Sequence, residues 1–135
     1  MALLVPNAGK AALLTMLVKD TSPEAFSLRL YKNDYTPVNG SVAGDFTVAD
    51  FTGYANVTLA RASFGTATSA DPSVITYAQQ SFTCSGASSN TIYGYYVVGA
   101  TSGTILWAER FASARTVTVS GDIVKVTPTL SFNDV

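Results

Sequence analysis

The chain has 135 residues, a net charge of −1, 47% hydrophobic residues and 13% charged ones. Soluble domains average about 25% charged residues, so this composition excludes a disordered polymer and predicts one domain with a surface of Ser, Thr, Asn and Gly. Lys and Arg are scattered singly, with no cluster to displace counterions from phosphates, which excludes direct nucleic-acid binding.

The opening residues, Leu3, Leu4, Val5 and Pro6, form an apolar arm without a cationic region before it. The apolar run at residues 11–18 is too short for a membrane helix, which needs roughly 20 residues. Neither an export signal nor a membrane span is therefore expected. One helix is predicted after the arm. Asn7 is its expected N-cap, and Ala11, Leu14, Leu17 and Val18 form its apolar stripe, widened by Leu13 and Met16. Lys19 suits the dipole of the last turn, and Thr21-Ser22-Pro23 ends the helix. A helix of about three turns is marginal alone, so it must dock on its own sheet or on a neighbour.

After Pro23 the apolar period becomes two. Phe26, Leu28 and Leu30 alternate with Ser27, Arg29 and Tyr31, which predicts a half-buried strand. Asn33-Asp34 and residues 37–40, ending in Asn39-Gly40, supply turn chemistry, the latter suited to positive φ. Residues 45–51 carry the pairs Asp45-Phe46 and Asp50-Phe51 and predict a loop or short strands.

Strands follow at 55–62, 64–68, 73–84, 91–99, 104–111, 115–120 and 122–132, separated mostly by Gly and Pro turns. The strand at 91–99 is apolar on both sides, with Ile92, Tyr96 and Val98 on one and Tyr93, Tyr95 and Val97 on the other. The strand at 104–111 places Ile105, Trp107 and Phe111 against Leu106 and Ala108. These two strands, joined through Gly103, predict a central hairpin covered on both faces. The whole reads as an all-β protein: an antiparallel, jelly-roll-like β-sandwich of about eight strands with one short N-terminal α-helix. Residues 1–22 form the arm and helix, and residues 23–135 the sandwich.

Chemistry is sparse. The chain has no histidine and one cysteine, Cys84. Catalytic triads, Cys-His dyads, the usual zinc sites and an intramolecular disulfide are all excluded, and Cys84 is expected to be a buried, inert thiol. Asp34, Asp45 and Asp50 do not follow the spacing of a calcium loop and are expected to cap turns. A two-carboxylate hydrolase built on residues such as Glu109 and Asp45 is arithmetically open but has no motif behind it. Glu109 and Arg110 are expected to pair. No enzymatic activity, cofactor or metal is predicted. The residues expected at a protein interface are Leu3, Leu4, Val5, Pro6, Tyr93, Tyr95 and Trp107, because an unsupported arm and a two-sided strand each need a second cover.

Several segments together carry a resemblance: LVPNAGK at 4–10, LRLYKNDYTP at 28–37, GDFTVADFTGY at 44–54, YGYYV at 93–97 and LWAERF at 106–111. This combination resembles small virion-associated proteins of tailed bacteriophages. The resemblance implies a capsid decoration (cement) protein made in the bacterial cytoplasm and placed on the outer surface of the head. It further implies binding to the major capsid protein, as a homotrimer at local three-fold positions, and no catalytic residues. The competing reading is a tail- or fibre-associated module that recognises a host surface glycan or another virion protein.

Overall fold

The computed structural model describes residues 3–20 and 22–132. Met1 and Ala2 of the arm, Thr21 of the expected helix stop and residues 133–135 lie outside the described residues. The fold is mainly β, antiparallel throughout, with one helix of more than one turn near the N-terminus.

The main sheet has five strands in the order β1-β7-β6-β2-β3, formed by Leu3–Leu4, Ile105–Val117, Asn90–Gly99, Phe26–Tyr31 and Val57–Leu59 respectively. Its centre is the expected hairpin: β6 pairs with β7 from Asn90↔Val117 to Val98↔Ile105, and Gly103 in the turn has φ +68°. Two two-stranded ribbons form a second layer. In one, β4 (Ser73–Thr76) pairs with β9 (Thr129–Phe132); in the other, β5 (Gln80–Thr83) pairs with β8 (Ile123–Val126). Phe82, Val124 and Val126 from the ribbons meet Leu28, Leu30, Val97 and Trp107 from the sheet in the principal core.

The opposite sheet face carries a smaller aromatic core of Tyr31, Phe46, Tyr96, Val98, Ile105 and Ala108. The long β2–β3 connection covers it. Phe46 stacks on Tyr96 with ring centroids 4.7 Å apart, and the edge of Tyr35 meets Phe46 at 5.2 Å. Tyr31 is therefore buried along with its neighbours on both sides, so β2 is covered on both faces rather than one. Within the connection, residues 43–45 make a 3-10 turn, and Val48 forms a single bridge to Tyr31.

Several boundaries differ from the sequence expectation. Residues 73–84 and 122–132 each break into two strands, because Pro128 has no N–H for a ladder and its carbonyl instead accepts from Tyr77 N at 2.8 Å. Residues 64–68 form no strand, although Gly65 N and Thr68 N do donate to the Thr76 and Val74 carbonyls of β4. Residues 104–111 and 115–120 are largely one strand, β7, with an irregular excursion: Gly94 faces Arg110 and Ile92 faces Arg115. One residue of β6 thus spans four of β7, and residues 112–114 stand exposed.

That irregularity also reverses part of the predicted facing. Ile92 joins Tyr95 and Val97 in the principal core, while Tyr93 lies with Tyr96 and Val98 on the aromatic side. A second shift between Val97 and Val98 leaves Leu106 as an extra residue, and Leu106 and Trp107 both reach the principal core. Gly40 does not adopt positive φ; among the described residues that role falls to Gly53, Gly103 and Gly121.

Candidate docking surface

Helix α1 (Asn7–Val18) is capped at its start by the extended backbone of Pro6, with no side-chain cap. Asn7 is the first helical residue, not the N-cap; its backbone N–H donates to the Asn39 carbonyl at 2.8 Å, tying the helix start to the β2–β3 connection. Lys19 is the C-cap, one position beyond the last turn.

The helix lies on β7, and the contact is made by backbone. A Cβ at Gly9 would overlap the Leu106 carbonyl oxygen and crowd that of Ile105. Glycine inside a helix lowers its intrinsic stability by about 1 kcal/mol relative to Ala; here it permits an approach that no other residue allows. One and two turns on, Ala12 and Met16 pack on the principal core, and Leu13 is half-buried.

This docking reverses the expected stripe. Ala11, Leu14, Leu17 and Val18 point away from the sheet. Leu14 is 63% exposed, and Leu17 and Val18 are each 81% exposed. The helix is apolar nearly all round, so periodicity alone could not choose the buried side. Gly9 was the available signal, since a glycine inside a helical pattern often marks close backbone approach.

The other residues expected at an interface divide into two groups. Tyr95 and Trp107 are 2% and 1% exposed and Pro6 is buried, all within the chain's own fold, so none offers a side-chain surface to a partner. The two-sided strand finds its second cover internally, in the β2–β3 connection and the ribbons. Leu3, Leu4 and Val5 are half-buried; Leu3 and Leu4 pair with Glu109 and Ala108 of β7, and Leu3 and Val5 pack on the principal core. Tyr93 is half-buried on the aromatic side, with the Arg110 guanidinium 5.3 Å above its ring.

A groove of about 520 Å³ lies between the β1–β7 edge and β8–β9, lined in part by Leu3, Tyr95, Glu109, Phe111, Lys125 and Thr129. The Tyr95 hydroxyl donates to Glu109 Oε2 at 2.8 Å. Burial, reinforced by the Glu109 charge, pushes the Tyr95 pKa up and keeps the phenol neutral. Among the described residues Glu109 is the only carboxylate lining the groove, and no second described acid stands beside it as a glycosidase pair requires. Asp45 is elsewhere, with its carboxylate accepting from Val42 N at 2.9 Å.

Glu109 and Arg110 do not pair, because consecutive strand residues point to opposite faces. Arg110 pairs with Asp34 at 2.5 Å and donates to the Tyr35 carbonyl at 2.9 Å. Asp50 bonds Lys32 at 2.5 Å and Asn90 at 3.0 Å. The three aspartates are thus held apart by separate partners, and among the described residues no group of three or more potential ligands converges on a metal position. Cys84 is buried, with its thiol donating to the Gly86 carbonyl at 3.0 Å. Among the described residues no helix is long and apolar enough to cross a membrane.

Together these features define a mainly-β domain whose most exposed apolar surface is one face of a docked helix. No protein-family model matches the chain. No curated protein matches it significantly.

Proposed function

We propose that this chain is a non-enzymatic structural protein of a tailed-bacteriophage particle. In this reading it is a capsid decoration protein that sits on the outer surface of the head, binds the major capsid protein and stabilises the shell. The observation that carries the reading is the outer face of α1, where Leu14, Leu17 and Val18 stand largely exposed. Large contiguous apolar patches on a protein surface mark interaction sites.

The titratable groups support contact over chemistry. Asp34, Asp45 and Asp50 are each committed to their own bonds, and among the described residues the groove holds one carboxylate. A net charge of −1 suits many copies crowded on one shell, where a strongly charged protein would repel itself. The phage context comes from the resemblance carried by residues 4–10, 28–37, 44–54, 93–97 and 106–111.

Purified particles examined by cryo-electron microscopy and quantitative gel analysis test this. Dense, symmetric occupancy of the head is expected. A few copies confined to the tail would replace this reading with the fibre-associated module, and absence from particles would remove it.

A further inference from the structure

We infer that the outer edge of β7 over residues 112–116 takes up an extended acidic segment of another protein as an added antiparallel strand. This goes beyond the particle reading. It names a second contact, at the opposite end of β7 from the docked helix, and the chemistry of what fills it.

The backbone of this edge is open. β1 pairs with β7 at Ala108 and Glu109, and beyond Glu109 no strand among the described residues pairs with that side. Residues 111–114 have no partner in the β6 ladder either, and residues 112–116 are exposed. An open strand edge is a template for strand addition, in which main-chain bonds supply affinity and side-chain pockets supply selectivity. A segment that continues the line of β1 runs antiparallel to β7.

Charge selects the segment. A pocket of about 250 Å³ beside the edge is lined by Phe111, Ala112, Ser113, Arg115 and Lys125, and it shares Phe111 and Lys125 with the groove that holds Glu109. Arg115 comes from β7 and Lys125 from β8; both are exposed, and neither takes part in an ion pair. Glu109 is the one described acid in the two pockets, and it accepts from the Tyr95 hydroxyl without pairing with either cation. The edge therefore carries a local positive surplus on a chain whose net charge is −1.

That surplus excludes two occupants and fits a third. A second β7 edge would gather two copies of Arg115 and Lys125 in one short interface, and a basic strand would meet the same repulsion. Carboxylates on the residues facing Ser113 and Arg115 are complementary. The guanidinium can take a carboxylate through two parallel N–H···O bonds, and Lys125 adds its charge from the other wall.

Titration of the isotope-labelled full chain with the acetylated and amidated peptide Ser-Val-Glu-Val-Glu-Val-Ser, followed by nuclear magnetic resonance, tests this. Saturable shifts are expected at the amides of residues 112–116. The same peptide with lysines in place of glutamates should bind at least about tenfold more weakly. Arg115→Glu should weaken the glutamate peptide by a similar factor and Lys125→Glu several-fold, both with the Tm unchanged because the side chains are exposed and unpaired. N-methylation of alternate peptide residues separates strand addition from charge alone. A strand offers every second N–H to one edge, so one methylation phase should abolish binding and the other should spare it.

Absence of saturable binding, equal binding of the lysine peptide, indifference to Arg115→Glu, or equal effects of the two methylation phases would each overturn the inference. Inorganic phosphate that moves the same amides as strongly would overturn it too, leaving a small-anion site. The outcome separates from that of the particle reading. A chain that takes up the peptide but is absent from particles keeps this edge and loses the capsid role.

Discussion

Gly9 sets how the helix meets the sheet, and its substitution gives a test in which two effects oppose each other. Ala is the better helix former by about 1 kcal/mol, so an isolated α1 would gain from Gly9→Ala. In the folded chain the new methyl group overlaps the Leu106 carbonyl, and the helix must lift from β7. The expected result is net destabilisation of about 2–4 kcal/mol, within the range of severe steric and core substitutions, measured from denaturant midpoints. A stabilised variant would mean that the close approach is absent. The tyrosines make a second residue-scale prediction. Burial raises the pKa of Tyr31 and of Tyr54 to about 12 from an ordinary 10.0. The unfolded chain therefore loses these protons first. Stability from these groups is intact below pH 10 and falls as pH rises toward 12, so tyrosinate absorbance should appear together with loss of near-UV circular dichroism. Ionisation of all tyrosines at their ordinary pKa with the fold retained would contradict their burial.

At the scale of elements, much of β2, β6 and the β6–β7 hairpin was legible, because alternation at Phe26, Leu28 and Leu30 and the turn at Gly103 are local signals. The facing of β6 was not. The excursion opposite Tyr93 moves Ile92 to the Tyr95 side, and its one local signal is Gly94, which sits at the shift and where a Cβ would overlap the Glu109 carbonyl oxygen. The interface residues divided for a related reason. Tyr95 and Trp107, expected at an interface, are buried in the principal core with Phe82, Val124 and Val126 of the chain's own ribbons, a tertiary contact invisible to periodicity. The helix was found with its buried side reversed, since Leu13 and Met16 compete with Leu14, Leu17 and Val18 on hydrophobicity alone and only Gly9 breaks the tie. It follows that Leu17→Ser should alter the Tm negligibly, by under about 0.5 kcal/mol of stability, whereas Met16→Ser on the docked side should cost more than 1 kcal/mol. Equal effects of the two in thermal melts would return α1 to the expected orientation.

At the scale of the whole molecule, two carboxylates, Glu24 and Asp50, tie distant segments together, and a third, Asp122, closes the turn before β8. Glu24 Oε2 accepts from the backbone N–H groups of Thr101, at 2.5 Å, and Ser102, at 2.8 Å, pinning the β6–β7 turn to the start of β2. Partial burial works to raise the Glu24 pKa, but the hydrogen bonds from Ser102 and Thr101 more than offset it. Hydrogen bonds from Lys32 and Asn90 lower that of Asp50, and the Thr118 and Val119 backbone N–H groups lower that of Asp122. Each group has a folded pKa below its unfolded one, so its contribution is present above the ordinary values of 4.5 for Glu and 3.8 for Asp and is lost as pH falls through the lowered ones. The Tm should therefore fall as the solution is acidified below those values, and Glu24→Gln should flatten the decline while lowering stability at neutral pH. An acid profile unchanged by Glu24→Gln would show that the turn is not held this way.

The outer face of α1 carries the most exposed large apolar side chains among the described residues, Leu17 and Val18, and on it rests the proposal that the chain works by joining a particle. Its position and copy number in purified virions test this most directly. The account predicts regular, dense density on the outer head surface, fitted by this fold and lost when Leu14 and Val18 are replaced by Glu. Heads bare of the chain, with the protein absent or confined to the tail, would contradict it.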